Sequence, residues 1–209
     1  MGKLLFIVLA LIATLLPTEA LATHVISDMA HIDLNTNKVA KVLGEVTEGS
    51  ALLFNAQVAA TDRIKGPLLV LIDTPGGEVE AGERMIDTIK VEQSRGVKVV
   101  CLVVNHASSM GFNILTHCDV RLALPGSFML MHKIAIGGVD CMSVRCSAIH
   151  LRELADELDE GDAPFAEANR KALHLTKYQY DQLADAQHVF YPNELLFRHY
   201  LHGIASIRP

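Results

Sequence analysis

The chain has 209 residues, half of them hydrophobic and one fifth charged, with a formal net charge of −6 and no Trp. No basic cluster exceeds two residues, so the phosphate-neutralising surface that nucleic-acid partners require is excluded. Four cysteines without a CxxC pair give no zinc-site spacing.

Met1-Gly2-Lys3 is a short basic opening, followed by an apolar run from Leu4 to Leu16, a Pro17-Thr18-Glu19 break and Ala20-Leu21-Ala22. That is the layout of a secretory signal peptide cleaved near Ala22. The run is shorter than the roughly 20 residues a membrane-crossing helix needs, although an uncleaved anchor is the alternative. Removal of 1–22 leaves 23–209, a length suited to one domain. The expected location is periplasmic or secreted. Export makes disulfides possible for Cys101, Cys118, Cys141 and Cys146. Cys141 and Cys146 flank a loop and are the first pair to test; four buried thiols are the alternative.

Strands and helices then alternate. Val39–Val46 reads as a strand, and Glu48–Ala60 as a helix capped by Thr47, with Ala51, Leu52, Phe54 and Val58 at helical spacing. Pro67–Asp73 and Lys98–Val104 are continuous apolar runs, as in strands covered on both faces. Between them Glu78–Gln93 is a helix ended by Gly96. Met110–Cys118 reads as a short helix, Asp119–Ala123 and Phe128–His132 as strands. Ile149–Leu158 and Ala163–Leu175 read as helices separated by the acidic break 159–162. The pattern predicts an α/β fold with repeated strand–helix units, a mostly parallel sheet and a C-terminal helical region.

Two loops each follow a buried strand and open a helix, the position where such sheets bind ligands. Thr74-Pro75-Gly76-Gly77 places adjacent glycines where backbone can approach a ligand and offer free N–H groups; a plain tight turn explains it equally. Asn105–Gly111 carries Ser108 and Ser109 at a strand-to-helix junction, where the next N–H, that of Met110, can meet an oxyanion. Taken alone, a serine there is more often a helix cap.

The motifs in order resemble the proteolytic subunits of the Clp proteases, the ClpP-type serine peptidases of the crotonase-like fold. The family's SPGG loop and the helix after it return as TPGG (74–77) and AGERMIDTIK (81–90). Its ASMG box returns as Ser108-Ser109-Met110-Gly111, and its P-x-S-x-x-x-x-H segment as Pro125 to His132, followed by Gly137-Gly138. The resemblance spans about 42–138. It implies Ser109 as nucleophile, His132 as base and acid, and backbone N–H groups of Gly77 or Gly76 with Met110 as oxyanion hole. It also implies a substrate strand along Lys133, Ile134, Gly137 and Gly138. No cofactor or metal is implied. The implied partners are a peptide or unfolded-protein substrate and other copies of the same chain.

The family's acid falls just before a segment matching Val189–Leu195, which puts Gln187 at that place, with Asp185 and Asp181 nearby. Asp185 is the carboxylate carried forward as third catalytic residue; Asp181 and Gln187 remain open. The Ser109-to-His132 gap is slightly shorter than the family's, and the stretch after Glu194 longer. An exported chain has no ATP-driven unfoldase to feed it. The expectation is an exported serine peptidase acting on short peptides or unfolded chains. A non-catalytic oligomeric or binding protein on the same fold is the alternative, and acyl-thioester chemistry with CoA a third.

Overall fold

Two apolar runs cannot leave either face to water, and they form the middle of the sheet. They are β3 (Leu68–Thr74) and β4 (Val99–Ser108) in a computed structural model that describes residues 30–32, 38–61, 65–135 and 147–207. The flanking strands are β1 (Ala30–Ile32), β2 (Lys38–Leu43), β5 (Val120–Ala123) and β8 (Gly203–Ile207). The spatial order is β1-β8-β5-β4-β3-β2, and every one of these pairings is parallel. The α/β fold with a mostly parallel sheet is therefore as expected.

Parallel neighbours need crossovers, supplied here by α1 (Glu48–Ala60), α2 (Val79–Ser94) and α3 (Met110–Thr116). Alternate strand residues point to opposite faces. Leu68, Val70, Ile72, Cys101 and Val103 join the helix-side core with Phe54, Met85, Ile89 and Phe112. Leu69, Leu71, Leu102 and Leu122 form a smaller cluster on the other face. Each large side chain buried this way contributes roughly 1.5–3 kcal/mol relative to exposure. Thr47 caps α1 as expected, its hydroxyl accepting from Ser50 N at 3.3 Å. Leu52, assigned to the buried stripe of α1, is instead 60% exposed.

β4 outruns its sequence-based bounds. The stretch 105–108, read as loop, stays in the sheet because β4 changes partner along its length. Val100–Val103 pair with β5, and His106–Ser108 pair with β6 (Phe128–Leu130). β6 in turn holds β7 (Val189–Phe190) antiparallel. The turn into α3 is thereby reduced to Ser109.

A second departure lies in the C-terminal half. The acidic stretch 159–162 does not break the chain; α4 runs unbroken from Ala148 to Ala172, with Gly161 and Pro164 inside it. A glycine in a helix costs about 1 kcal/mol, and tertiary contacts outweigh it. Asp162 is buried and accepts from the backbone N–H of Ile134 at 2.9 Å, and Phe165 and Asn169 are buried one and two turns on. After α4 come α5 (Lys177–Asp185) and α6 (Pro192–Phe197). Cys101 and Cys118 are joined as a disulfide with Cα atoms 5.9 Å apart, so these two are not free thiols. Cys141, Cys146, the residues 1–22, and Gly137 and Gly138 lie outside the described residues. Among the described residues no helix is long and apolar enough to cross a membrane.

Candidate active site

Ser109 stands alone between β4 and α3 with φ 54° and ψ −119°. Non-glycine residues avoid positive φ, and those that hold it cluster where function requires an exposed side chain. Its backbone is fixed on three sides. The N–H donates to Leu130 O at 2.9 Å, and its carbonyl accepts from Phe112 N at 2.9 Å and Asn113 N at 3.2 Å. Its hydroxyl makes no capping bond to α3. The ordinary role of a serine here, capping a helix, is therefore not the one Ser109 plays.

The neighbouring backbone closes around it. A Cβ on Gly76 would lie 2.6 Å from Ser109 Cβ and 3.0 Å from Met110 N, so only glycine fits. Gly76 also has φ +100°. The loop is pinned through Val46: Val46 N donates to Gly76 O at 2.8 Å, and Glu78 N donates to Val46 O at 2.9 Å. Two further glycines admit close packing. Gly82 of α2 touches the Met110 side chain, and Gly111 touches Thr74. Met110 is thereby locked with its N–H at the turn.

The two glycines of the loop differ. Gly76 N donates to Thr74 Oγ1 at 3.0 Å and is already engaged. No acceptor among the described residues takes the N–H of Gly77 or of Met110. Met110 N follows Ser109 directly and Gly77 N follows the glycine packed on Ser109; free backbone donors are what an oxyanion hole needs.

His132 follows β6 directly. Ser108 pairs with Leu130 and Ser109 donates to the Leu130 carbonyl, so the ends of β4 and β6 from which Ser109 and His132 follow are neighbours in the sheet. The Nδ1 of His132 lies against the carbonyl oxygen of Lys133. A carbonyl only accepts, so in the neutral imidazole Nδ1 carries the proton and Nε2 the lone pair. That is the tautomer a general base requires.

The carboxylates expected behind His132 are placed otherwise. Asp185 Oδ1 is 3.0 Å from Lys133 Nζ and its side chain is 64% exposed; Asp181 contacts Lys133 at 3.6 Å and Lys177 at 2.7 Å. Gln187 closes α5 as the left-handed residue (φ 50°) of a Schellman turn, with Gln187 N bonded to Ala184 O and His188 N to Leu183 O. The strand that follows runs beside β6, and His188 O accepts from Met131 N at 3.3 Å. Gln187 is thus carried next to the His132 segment by backbone pairing.

Sequence reading missed Asp162. It is 6% exposed, lies near His132 and Lys133, and its carboxyl pKa is raised from its ordinary value, chiefly by burial. Nearby Lys133 and His132 oppose that rise, as does the bond from Ile134 N. The segment 159–162 looked like solvated helix break, and the Ile134 contact shows that the last residue of this acidic run faces inward. Asp162 and Lys133 share a cleft of about 590 Å³ between α4, α5 and the segment after His132.

Residues 22–190 match the family model described as Clp protease. The chain is 35% identical to an ATP-dependent Clp protease proteolytic subunit 2 of Prochlorococcus marinus over 114 residues, covering 53% of this chain and 55% of that one. It is 35% identical to a proteolytic subunit 1 of Chlamydia caviae over 91 residues (42% and 46%). It is 31% identical to a proteolytic subunit 3 of Synechococcus over 125 residues (58% and 60%). The chain spans about half the length of the curated relatives it matches. That family model covers most of the chain, so this chain belongs to the Clp protease family.

Proposed function

We propose that the protein is an exported serine peptidase that hydrolyses short peptides or unfolded chains through an acyl-enzyme on Ser109. One observation carries this reading: Ser109 is held at positive φ with its hydroxyl uncommitted, against Gly76 and beside the free N–H groups of Gly77 and Met110. Ser109 Oγ attacks the peptide carbonyl while Nε2 of His132 takes its proton. The carbonyl oxygen, now negative, receives hydrogen bonds from Gly77 N and Met110 N, a contribution of about 3–4 kcal/mol in such sites. His132 returns the proton to the departing amine, and a water repeats the cycle on the ester. Lys133 and Ile134 begin the edge along which an extended substrate pairs.

The third position is filled by a carbonyl. Lys133 O orients the imidazole, but a neutral acceptor stabilises the imidazolium less than a carboxylate does. Loss of the acid in such a triad lowers turnover by about four orders of magnitude in the well-studied case, so slow turnover is expected. The reading therefore assigns Asp185 to Lys133 and leaves the chemistry to a serine–histidine dyad.

Export rests on the 1–22 segment and on the Cys101–Cys118 disulfide, a bond that persists in oxidising compartments. An exported peptidase meets no ATP-driven unfoldase, which fits peptides and loosely folded chains as substrates. Self-assembly into a homo-oligomer belongs to the same reading, as does a single domain over 23–209.

The test is covalent. A fluorophosphonate probe incubated with the protein is expected to label Ser109, mapped by peptide mass, and to leave Ser109→Ala and His132→Ala unlabelled. An unlabelled Ser109 beside a labelled control peptidase sinks the reading.

A further inference from the structure

The cleft beside His132 has a charge pattern that the peptidase reading does not use. Its cations are spoken for. Arg170 binds Glu167 at 2.8 Å, Lys177 binds Asp181 at 2.7 Å, and Lys133 turns to Asp185 at 3.0 Å. Two of its carboxylates have no cation within ion-pair distance among the described residues: Asp159 and Asp162. They stand three residues apart on α4, so they project from one face of the helix.

Asp162 is more than nine-tenths buried and lines the cleft. Its Oδ1 is occupied by Ile134 N at 2.9 Å. No donor among the described residues reaches Oδ2, which stays accessible and therefore meets the cleft. A buried carboxylate with one open oxygen is costly unless a donor arrives. The rest of the wall is apolar: Ala163, Ala166 and the ring of Tyr180 line the same space. Long basic side chains bind such a surface well, laying their methylene stems on apolar walls and bringing a charged head to the acid.

On the peptidase reading its position selects which part of a substrate enters. Lys133, one wall of the cleft, is the residue after His132, and Ile134, the residue bonded to Asp162, belongs to the stretch that reading gives to the substrate strand. We infer that this cleft is a specificity pocket for a lysine or arginine side chain of the substrate at the scissile bond, received by Asp162 with Asp159 at the rim. The inference rests on the peptidase reading and names the substrate class for that site.

The experiment uses the full chain and three peptidyl phosphonates identical except for lysine, leucine or glutamate at the residue next to the phosphonate. The readout is the second-order rate of Ser109 labelling, with a small non-peptidic fluorophosphonate run in parallel. The lysine probe is expected to label about tenfold faster than the leucine probe, the discrimination a charge-assisted bond supplies. Asp162→Asn, which keeps the oxygen for Ile134, is expected to bring that ratio close to unity. Asp159→Asn, on an exposed side chain that folding does not need, is expected to reduce it severalfold. Faster labelling by leucine or glutamate overturns the inference, as does a lysine preference unmoved in both variants. Labelling of Ser109 by the small probe alone, with no side-chain preference, removes the pocket assignment and leaves the peptidase reading standing. No labelling by any probe removes both.

Discussion

Gly76 carries the closest contact in the site, and its replacement separates geometry from chemistry. Alanine there puts a methyl carbon 2.6 Å from Ser109 Cβ in a backbone with φ +100°. The expected outcome of Gly76→Ala is loss of Ser109 labelling with a stability cost of at least about 1 kcal/mol, read by urea denaturation. Full labelling would show that the turn has room it lacks here. Asp162 gives the opposite kind of prediction. Burial and Asp159 raise its carboxyl, outweighing Lys133, His132 and the Ile134 bond. A group whose folded-state pKa is raised adds stability below its unfolded pKa and loses it as pH climbs through the folded value. Asp162→Asn is therefore expected to melt at the same or a higher temperature near neutrality. That advantage should shrink as pH falls into the carboxylate range. A lower melting temperature for the variant at neutral pH would show that the charge stabilises the fold. A functional residue held at a cost to stability is a common trade.

At the scale of elements, the turn bearing Ser109 is tied at both ends. The disulfide joins β4 to Cys118, two residues past α3, across a separation of 17, with Ser109 inside the loop. Closing a loop of that length stabilises by about 3 kcal/mol. Cys101→Ala/Cys118→Ala is expected to lower the calorimetric melting temperature by several degrees and to slow labelling of Ser109. An unchanged melting temperature would show that packing alone holds the turn. The second tie is polar. Asn169 of α4 donates to Asn113 Oδ1 at 2.8 Å and accepts from Thr116 Oγ1 at 2.8 Å, both on α3. Asn169→Leu strands the buried Asn113 oxygen and is expected to cost about 1–3 kcal/mol, read as a shift in urea midpoint. A neutral result would mean that α3 needs no support from α4. The unbroken α4 thus reaches both α3, through Asn169, and the segment after His132, through Asp162.

For the whole molecule, the reading expects a chain that leaves the cytoplasm, loses about the first 22 residues, oxidises Cys101 and Cys118, and self-associates. Intact-mass measurement on periplasmic material tests the first three, and sedimentation the last; full-length reduced chain retained in the cytoplasm would overturn export. Much of the architecture was legible before any coordinates, because burial on both faces, helical spacing and turn glycines act over a few residues. The strands expected at 67–73 and 98–104, the helices expected at 48–60 and 78–93 and the Thr47 cap followed from such local patterns, to within a residue or two at most ends. So did the short list of Ser109, His132 and the TPGG loop, once their order along the chain was set beside the Clp pattern. What local pattern could not decide depends on residues far apart meeting. β4 extends to Ser108 because β6, twenty residues on, and Thr74 of β3 continue its ladder. α4 crosses the acidic stretch because Ile134 turns Asp162 inward. Asp185 goes to Lys133, and the proton on Nδ1 of His132 is set by a carbonyl, since charge pairing and hydrogen-bond partners are chosen in space. The sequence by itself determined the alternation of elements and which side chains were available for chemistry. Which residues meet around Ser109 and His132 depends on folding, because those contacts are made between segments whose spacing along the chain carries no signal.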